Sequence, residues 1–454
     1  VRGAVDVEVS VALDVTGSMS GQRIIDLRNA LEDLIDAIVQ DTQTPNYSKM
    51  ALVPYSQAVN AGTYAEALRG PIRGPRGISN IAWTTGSNKS ITNATRHDPV
   101  RITSSGHGFS NGDWVYIWNV GGMHQINNRA FQVTSVTANE FRLSGVNGTN
   151  YSNYSSGGQV IKCVAANCNT VITSANHGYV NGDWVHVTDV QDWTLGGGIN
   201  NRTFRVTNAT TNTLQRAGYS MNNGSYTPNT GRLHCTWQNA TEGCTYYRFI
   251  NPHGTARVYA GTTCVTERSA NGTNDQPPST TYVGRNYPHP NNGCLNNTIV
   301  PLTSDKTVLH NMADSLVAAG STSGSLGALW SWYMLSPNFG YVWPEASRPA
   351  PYNQRNLLKA AIIMTDGEFN TVHCEGVVAK NSTSGSSVEW GGADYNGCDA
   401  HNGEAYTQAR AYCDAMKNGT GIIVYTVGFG ITQGSQAANV LNYCASSPEN
   451  AYLA

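Results

Sequence analysis

The feature that most constrains this fold is an internal repeat in the middle of the chain. "ITSSGHGFSNGDWVYI" (residues 102–117) matches "ITSANHGYVNGDWVHV" (172–187), and "NNRAFQVTSVTAN" (127–139) matches "NNRTFRVTNATTN" (200–212) after a short insertion. Each copy consists of short alternating runs broken by Gly-Asp and Asn-Gly turns, with no helical period. A unit used twice in this way predicts two small β-barrels or sandwiches in tandem. The segments that follow are the first part of a domain at 1–95, β repeat 1 at 96–160, β repeat 2 at 161–233, and the second part of that domain at 234–454. One domain is thus expected to carry another inserted in it, as exposed loops permit.

The flanking segments alternate strand and helix. "VDVEVSVALD" puts Val5, Val7, Val9, Val11 and Leu13 on one face. On the other, Asp6 and Glu8 give way to Ser10 and Ala12, which predicts a strand entering a core at its far end. In "GQRIIDLRNALEDLIDAIVQ", Ile24, Leu27, Leu31, Leu34, Ile35 and Ile38 recur at helical spacing, and "KMALVPYSQAV" is a second strand. Beyond residue 300 the pattern returns. "TSDKTVLHNMADSLVAAG" and "SLGALWSWYML" are helical, "AAIIMTDG" is a short apolar strand, "EAYTQARAYCDAMKNG" is a helix, and "GIIVYTVGFG" is another buried strand. Such alternation predicts an α/β fold, a doubly wound, mostly parallel sheet with helices on both faces.

Composition narrows the function classes. The net charge is −2, only 13% of residues are charged, and no basic block exists. That argues against nucleic acid, which needs a cationic surface to meet phosphates. No run of 18 apolar residues occurs, and "VRGAVDVEVSV" lacks the apolar core of a signal peptide. Ten cysteines, an even count without a C-x-x-C pair, predict disulfides formed outside the cytoplasm. Sequence alone leaves their connectivity open. The expectation is nearest neighbours: 163–168, 235–244, 264–294, 374–398 and 413–444.

Two predicted strands end in an acid, Asp14 in "LDVTGSM" and Asp366 in "IIMTDG". In open α/β sheets, ligands bind beyond the carboxyl ends of the strands. Thr16 and Ser18 lie beside Asp14 where the loop feeds the first helix, and "AGSTSGSLGAL" offers a further hydroxyl at Thr322, flanked by Ser321 and Ser323. Two carboxylates with hydroxyls are oxygen-only ligands, suited to a hard divalent cation: Mg²⁺ foremost, with Mn²⁺ or Ca²⁺ as alternatives. Helix capping alone would explain Thr16 and Ser18, but not two separate strands ending in acids beside hydroxyl-rich loops. The repeated His107 and His177 are expected to be turn residues with structural hydrogen bonds, and Asp113 and Asp183 hairpin residues. Trp114 and Trp184 are expected in the core, and the unmatched Trp118 and Trp193 as exposed contacts. "GSTSG" (320–324) has the spacing of a nucleophile elbow, yet Thr322 is at its centre and no strand leads into it. No catalytic set is forced by spacing, and an enzyme is not expected.

"LDVTGSM", the threonine loop and "MTDG", in this order, resemble a von Willebrand factor A domain. The resemblance implies a metal-ion-dependent adhesion site made by Asp14, Thr16, Ser18, Thr322 and Asp366, with one coordination position left for an acidic group on a partner. "IVPLTSDKTVLHNMADSL", "GSTSGSLGALWSWYMLSP", "AAIIMTDGEFNT" and "CASSPENAYLA" further resemble the TadG-like proteins of bacterial tight-adherence (Tad) pili, over about residues 1–83 and 235–454. The tandem repeats are similar to FCCH-type β modules, named for a part of ubiquitin-activating enzymes. Together these resemblances imply an extracytoplasmic, pilus-associated adhesion protein with pilus subunits and a carboxylate-bearing protein or surface ligand as partners. Membrane attachment is expected only through a segment outside this sequence. The alternative is a structural pilus subunit in which the metal stabilises the domain or a subunit junction.

Overall fold

The computed structural model describes residues 5–191, 198–218, 226–269, 272–367, 369–383 and 394–453. The chain divides into two compact units, Val1–Arg73 with Trp237–Ala454, and Gly74–Thr236.

The first unit is mixed α/β. Its main elements are β1 (Asp6–Asp14), α1 (Gln22–Ile38), β2 (Ser48–Tyr55), α2 (Lys306–Ser315), α3 (Gly324–Leu335), β3 (Leu357–Thr365), α4 (Ala405–Lys417), β4 (Ile422–Gly428), α5 (Gln436–Cys444) and β5 (Ala451–Leu453). The strands lie in the order β2-β1-β3-β4-β5, each parallel to its neighbours. Beyond β2, the short strands Val59–Asn60, Cys264–Thr266 and Gly284–Arg285 continue the sheet antiparallel, and Val300–Thr303 also pairs antiparallel with β2. The sheet therefore has a parallel centre and an antiparallel border.

Both faces of β1 are buried from Glu8 onward, so its apolar residues feed two cores and the polar side chains among them are enclosed. Val9, Val11 and Leu13 pack with Ile24, Leu27, Leu31 and Ile35 of α1 and Leu309 and Ala313 of α2. Ala12 belongs to a second core with Leu326, Leu329 and Trp330 of α3 and Ala409, Tyr412 and Met416 of α4. Every residue of α3 is buried, and a helix enclosed all round carries no polar stripe. At Gly327 a Cβ would come within 2.6 Å of the Tyr55 ring, so α3 approaches β2 at a distance only glycine permits.

Glu8 departs from the expectation of a polar entrance to β1. It is fully buried and paired with Lys359 of β3 at 2.6 Å, and accepts hydrogen bonds from the Tyr47 hydroxyl (3.0 Å) and the Ala350 amide (3.0 Å). Disulfides join Cys163–Cys168, Cys264–Cys294, Cys374–Cys398 and Cys413–Cys444, all nearest neighbours. Cys235 and Cys244 are disulfide-bonded as well, and no cysteine is free. A chain oxidised throughout is extracytoplasmic. Among the described residues no helix is long and apolar enough to cross a membrane.

Among the described residues the second unit holds two seven-stranded sheets, one per repeat. The first runs Thr84–Ser90, Ser156–Cys163, Trp114–Gly121, Arg129–Thr134, Glu140–Leu143, Arg101–Thr103, Asn93–Thr95, and the second Arg76–Gly77, Arg232–Cys235, Trp184–Thr188, Arg202–Thr207, Thr213–Arg216, Thr170–Thr173, Asn80–Ala82. The compact unit thus begins at Gly74 rather than 96, and residues 76–82, which precede the first repeat, pair with strands of the second.

The shared punctuation of the repeats is structural. His107 and His177 are buried and accept, through Nδ1, the amides of Phe109 and Tyr179 (both 3.0 Å). Asp113 and Asp183 accept the amides of Ser110 and Val180 (both 2.9 Å), closing the turns. Asn127 and Asn200 each bond both the amide and the carbonyl of one residue, Val120 and Val190. Trp114 and Trp184 are half-buried, and Trp114 packs against a second, smaller apolar cluster. The core of the first repeat is Val115, Ile117 and their neighbours, and period-two alternation turns Trp114 and Trp118 to the other face, against Trp83 and Tyr116. Trp118 stacks on Tyr116, and Trp193 lies outside the described residues.

Candidate functional site

The parallel strands β1 and β3 are neighbours, and α1 carries the chain from β1 to β2, which lies on the opposite edge of β1. The chain therefore reverses its direction of winding beside β1, and the carboxyl ends of β1 and β3 border the crevice where such sheets bind ligands. Asp14 ends β1, and Asp366 directly follows β3. These two residues are 352 apart in sequence by subtraction of their numbers, and strand pairing alone sets them side by side.

Their side chains are linked by hydroxyls. Asp14 accepts the Thr16 amide at Oδ1 (3.0 Å) and the Thr365 hydroxyl at Oδ2 (2.7 Å). The Thr16 and Ser18 hydroxyls are 3.0 Å apart, and Ser18 Oγ donates to Asp366 Oδ1 at 2.7 Å. Four of the five expected residues thus form one continuous cluster. The loop carrying Thr322 is held against it, since Gly17 N donates to Gly320 O (2.9 Å) and Ala319 N to Val15 O (2.8 Å). Ser321 Oγ accepts from Asn292 (2.8 Å) and Ser323 Oγ donates to Thr371 O (2.8 Å). The Thr322 backbone is pinned by Asn370 and Thr371, while its hydroxyl has no partner among the described residues. Of the three adjacent hydroxyls, Thr322 is the one left available.

Asp14 is fully buried, and burial is the main force raising its carboxyl from the usual 3.8 to about 6. The bonds from Thr16 and Thr365 oppose that rise, and the charge of Asp366 adds to it. No cation pairs with Asp14 among the described residues. A buried strand-end carboxylate held by hydroxyl and amide donors alone fits a cation as the missing partner, and an all-oxygen set fits a hard one. Among the described residues no three or more His, Cys, Asp or Glu side chains gather to hold a metal ion. The set here is two carboxylates with hydroxyls. Sequence reasoning missed Thr365, which bonds Asp14, and Arg23, whose Nη1 lies 2.6 Å from Asp366 Oδ2. Thr365 was visible as the hydroxyl before Asp366. Arg23, on the polar side of an amphipathic helix, gave no signal.

Residues 100–163, which take in most of the first β repeat, match the family model described as "Ubiquitin-activating enzyme E1 FCCH domain". No curated protein matches the chain. Among solved structures, the chain is similar to the adhesive tip pilin GBS104 from Group B Streptococcus agalactiae, at 9% identity and TM-score 0.34, over 99% of this chain and 95% of that one. It is similar to the pilus adhesin RrgA from Streptococcus pneumoniae, at 11% identity and TM-score 0.31, over 99% and 43%. It is also similar to the vWF domain of the type V pili tip protein Mfa5 from Porphyromonas gingivalis, at 11% identity and TM-score 0.23, over 34% and 69%. These likenesses are too distant to carry an argument about function.

Proposed function

We propose that this chain is an extracytoplasmic adhesion protein of the von Willebrand factor A type, associated with a bacterial Tad-type pilus. Its α/β unit would hold a divalent cation, Mg²⁺ foremost, through Asp14, Thr16, Ser18, Thr322 and Asp366. The cation would supply a Lewis-acidic position for a carboxylate on a protein or surface partner, which makes binding without turnover. The β repeats would widen the contact surface. The observation that carries this reading is the convergence of two acids from separate parallel strands, one buried without a counter-charge, onto a shared set of hydroxyls. The pilus association is supported by the TadG-like segments of the sequence.

The test is calorimetry with Mg²⁺, Mn²⁺ and Ca²⁺ on the intact chain and its Asp14→Asn and Asp366→Ala variants, alongside binding to cells or surfaces with and without chelator. Saturable cation binding lost in both variants, with chelator-sensitive adhesion, supports the reading. Equal affinity in all three proteins refutes the site. Chelation that leaves adhesion intact but dissociates assembled filaments would favour the structural-subunit alternative.

A further inference from the structure

The cluster contains a charge that a cation site does not call for. Arg23 sits in the first turn of α1, and its Nη1 lies 2.6 Å from Asp366 Oδ2 and 3.4 Å from the Ser18 carbonyl oxygen. The Asp366 side chain is 0% exposed, whereas that of Arg23 is 48% exposed. Ser18 occupies the other oxygen of Asp366, so both are engaged. Gly430, in the loop after β4, is close to the far side of the guanidinium: a Cβ there would lie 3.5 Å from Nη2. Helix stability does not explain the residue. A helix N-terminus is a positive pole, where a basic side chain is disfavoured and an acid preferred, and the first turn of α1 contains no acid.

We propose that Arg23 is an internal counter-cation, a latch that occupies Asp366 until a divalent ion displaces it. This inference rests on the cation reading above. Each Asp366 oxygen already accepts one strong donor, so a divalent ion at Oδ2 competes with the guanidinium for that oxygen's electron density, and a guanidinium left within a few ångströms of the ion repels it. A half-exposed arginine on a helix end can swing into water, where its charge is solvated. Cation binding is therefore coupled to release of Arg23, and the latch lowers the affinity of the site. Two positive charges on the ion and one on arginine, separated by about 6 Å in a water-like dielectric, correspond to on the order of tenfold in affinity.

The test is calorimetric titration of the intact chain with Mn²⁺, after chelator treatment and desalting, for the wild type, Arg23→Gln, Arg23→Lys and Asp366→Asn. The expected result is Arg23→Gln binding Mn²⁺ roughly tenfold more tightly, Arg23→Lys close to wild type, and Asp366→Asn with little or no binding. If the wild type binds and Asp366→Asn does not, yet Arg23→Gln is equal or weaker, the latch is overturned and the cation site stands. If neither the wild type nor Arg23→Gln binds, both fall. Circular dichroism melts establish that each variant is folded, and the charge-preserving Arg23→Lys separates loss of charge from loss of packing.

Discussion

Replacing Asp14 with Asn should pull stability and binding in opposite directions. The carboxylate is fully buried at the end of β1, and burial, opposed by its bonds to Thr16 and Thr365, brings its pKa from the usual 3.8 to about 6. At about 1.4 kcal/mol for each pKa unit, keeping it ionised in the chelated protein at neutral pH costs on the order of 3 kcal/mol. A raised acid pKa penalises the fold above about 6, and the penalty fades as pH falls toward the unfolded value. Asn removes the charge and keeps the shape. Its Oδ1 still accepts the Thr16 amide, and its Nδ2 donates to the Thr365 hydroxyl, which can turn to the Gly367 carbonyl at 3.4 Å. The chelated Asp14→Asn protein should therefore be more stable than wild type at pH 7.5, by up to about 3 kcal/mol, and should no longer bind Mg²⁺. Urea unfolding of the α/β unit in the presence of chelator measures the first effect, and calorimetry the second. A chelated variant destabilised by more than about 1 kcal/mol, or one with wild-type Mg²⁺ affinity, would refute the reasoning.

Three further outcomes concern the scaffold. Glu8→Gln or Lys359→Met alone, each stranding one member of the buried 2.6 Å pair, should cost about 3–5 kcal/mol in urea denaturation, and the double variant much less than the sum. Gly324→Ala would place a Cβ 2.1 Å from the Phe369 ring. Overpacking of about 1–3 kcal/mol is expected, with weaker Mg²⁺ binding, because Phe369 lies three residues after Asp366 in the loop that also pins Thr322. Removing the Cys413–Cys444 disulfide, which ties α4 to α5 across 31 residues, should lower stability by about 2–4 kcal/mol. Unchanged thermal melts of that double serine variant would show that the packing of α4 on α5 suffices without it.

Much of the site was visible before any fold was known. "VALDVTGSM" and "IIMTDGEF" each show an apolar run closing on an acid, and strand alternation together with the strand-end rule placed both acids in one crevice. Thr322 could be found only as one of three neighbouring hydroxyls, until the structure showed Ser321 and Ser323 already engaged. The order of winding was less legible. "KMALVPYSQAV" looked like one strand, but the chain turns at Ser56–Ala58 and Val59 pairs back on Tyr55. Trp114 does pack with apolar neighbours, but its register puts it on the face opposite Val115, against a second cluster with Trp83 and Tyr116 that the sequence did not show.

The sequence alone determined the repeat, the α/β alternation and the acids at two strand ends; it left the cysteine pairing open and only favoured the nearest-neighbour bonds that the structure shows. These are local patterns: the facing of each side chain follows from its own strand or helix period, and a short loop makes a near cysteine the most accessible partner. The tertiary structure decided that Lys359 neutralises Glu8, that residues 76–82 join the second repeat, and that Arg23 closes over Asp366. Each of those depends on which strands become neighbours across long stretches of chain. That choice is made by the summed burial of whole faces, and no local period encodes it.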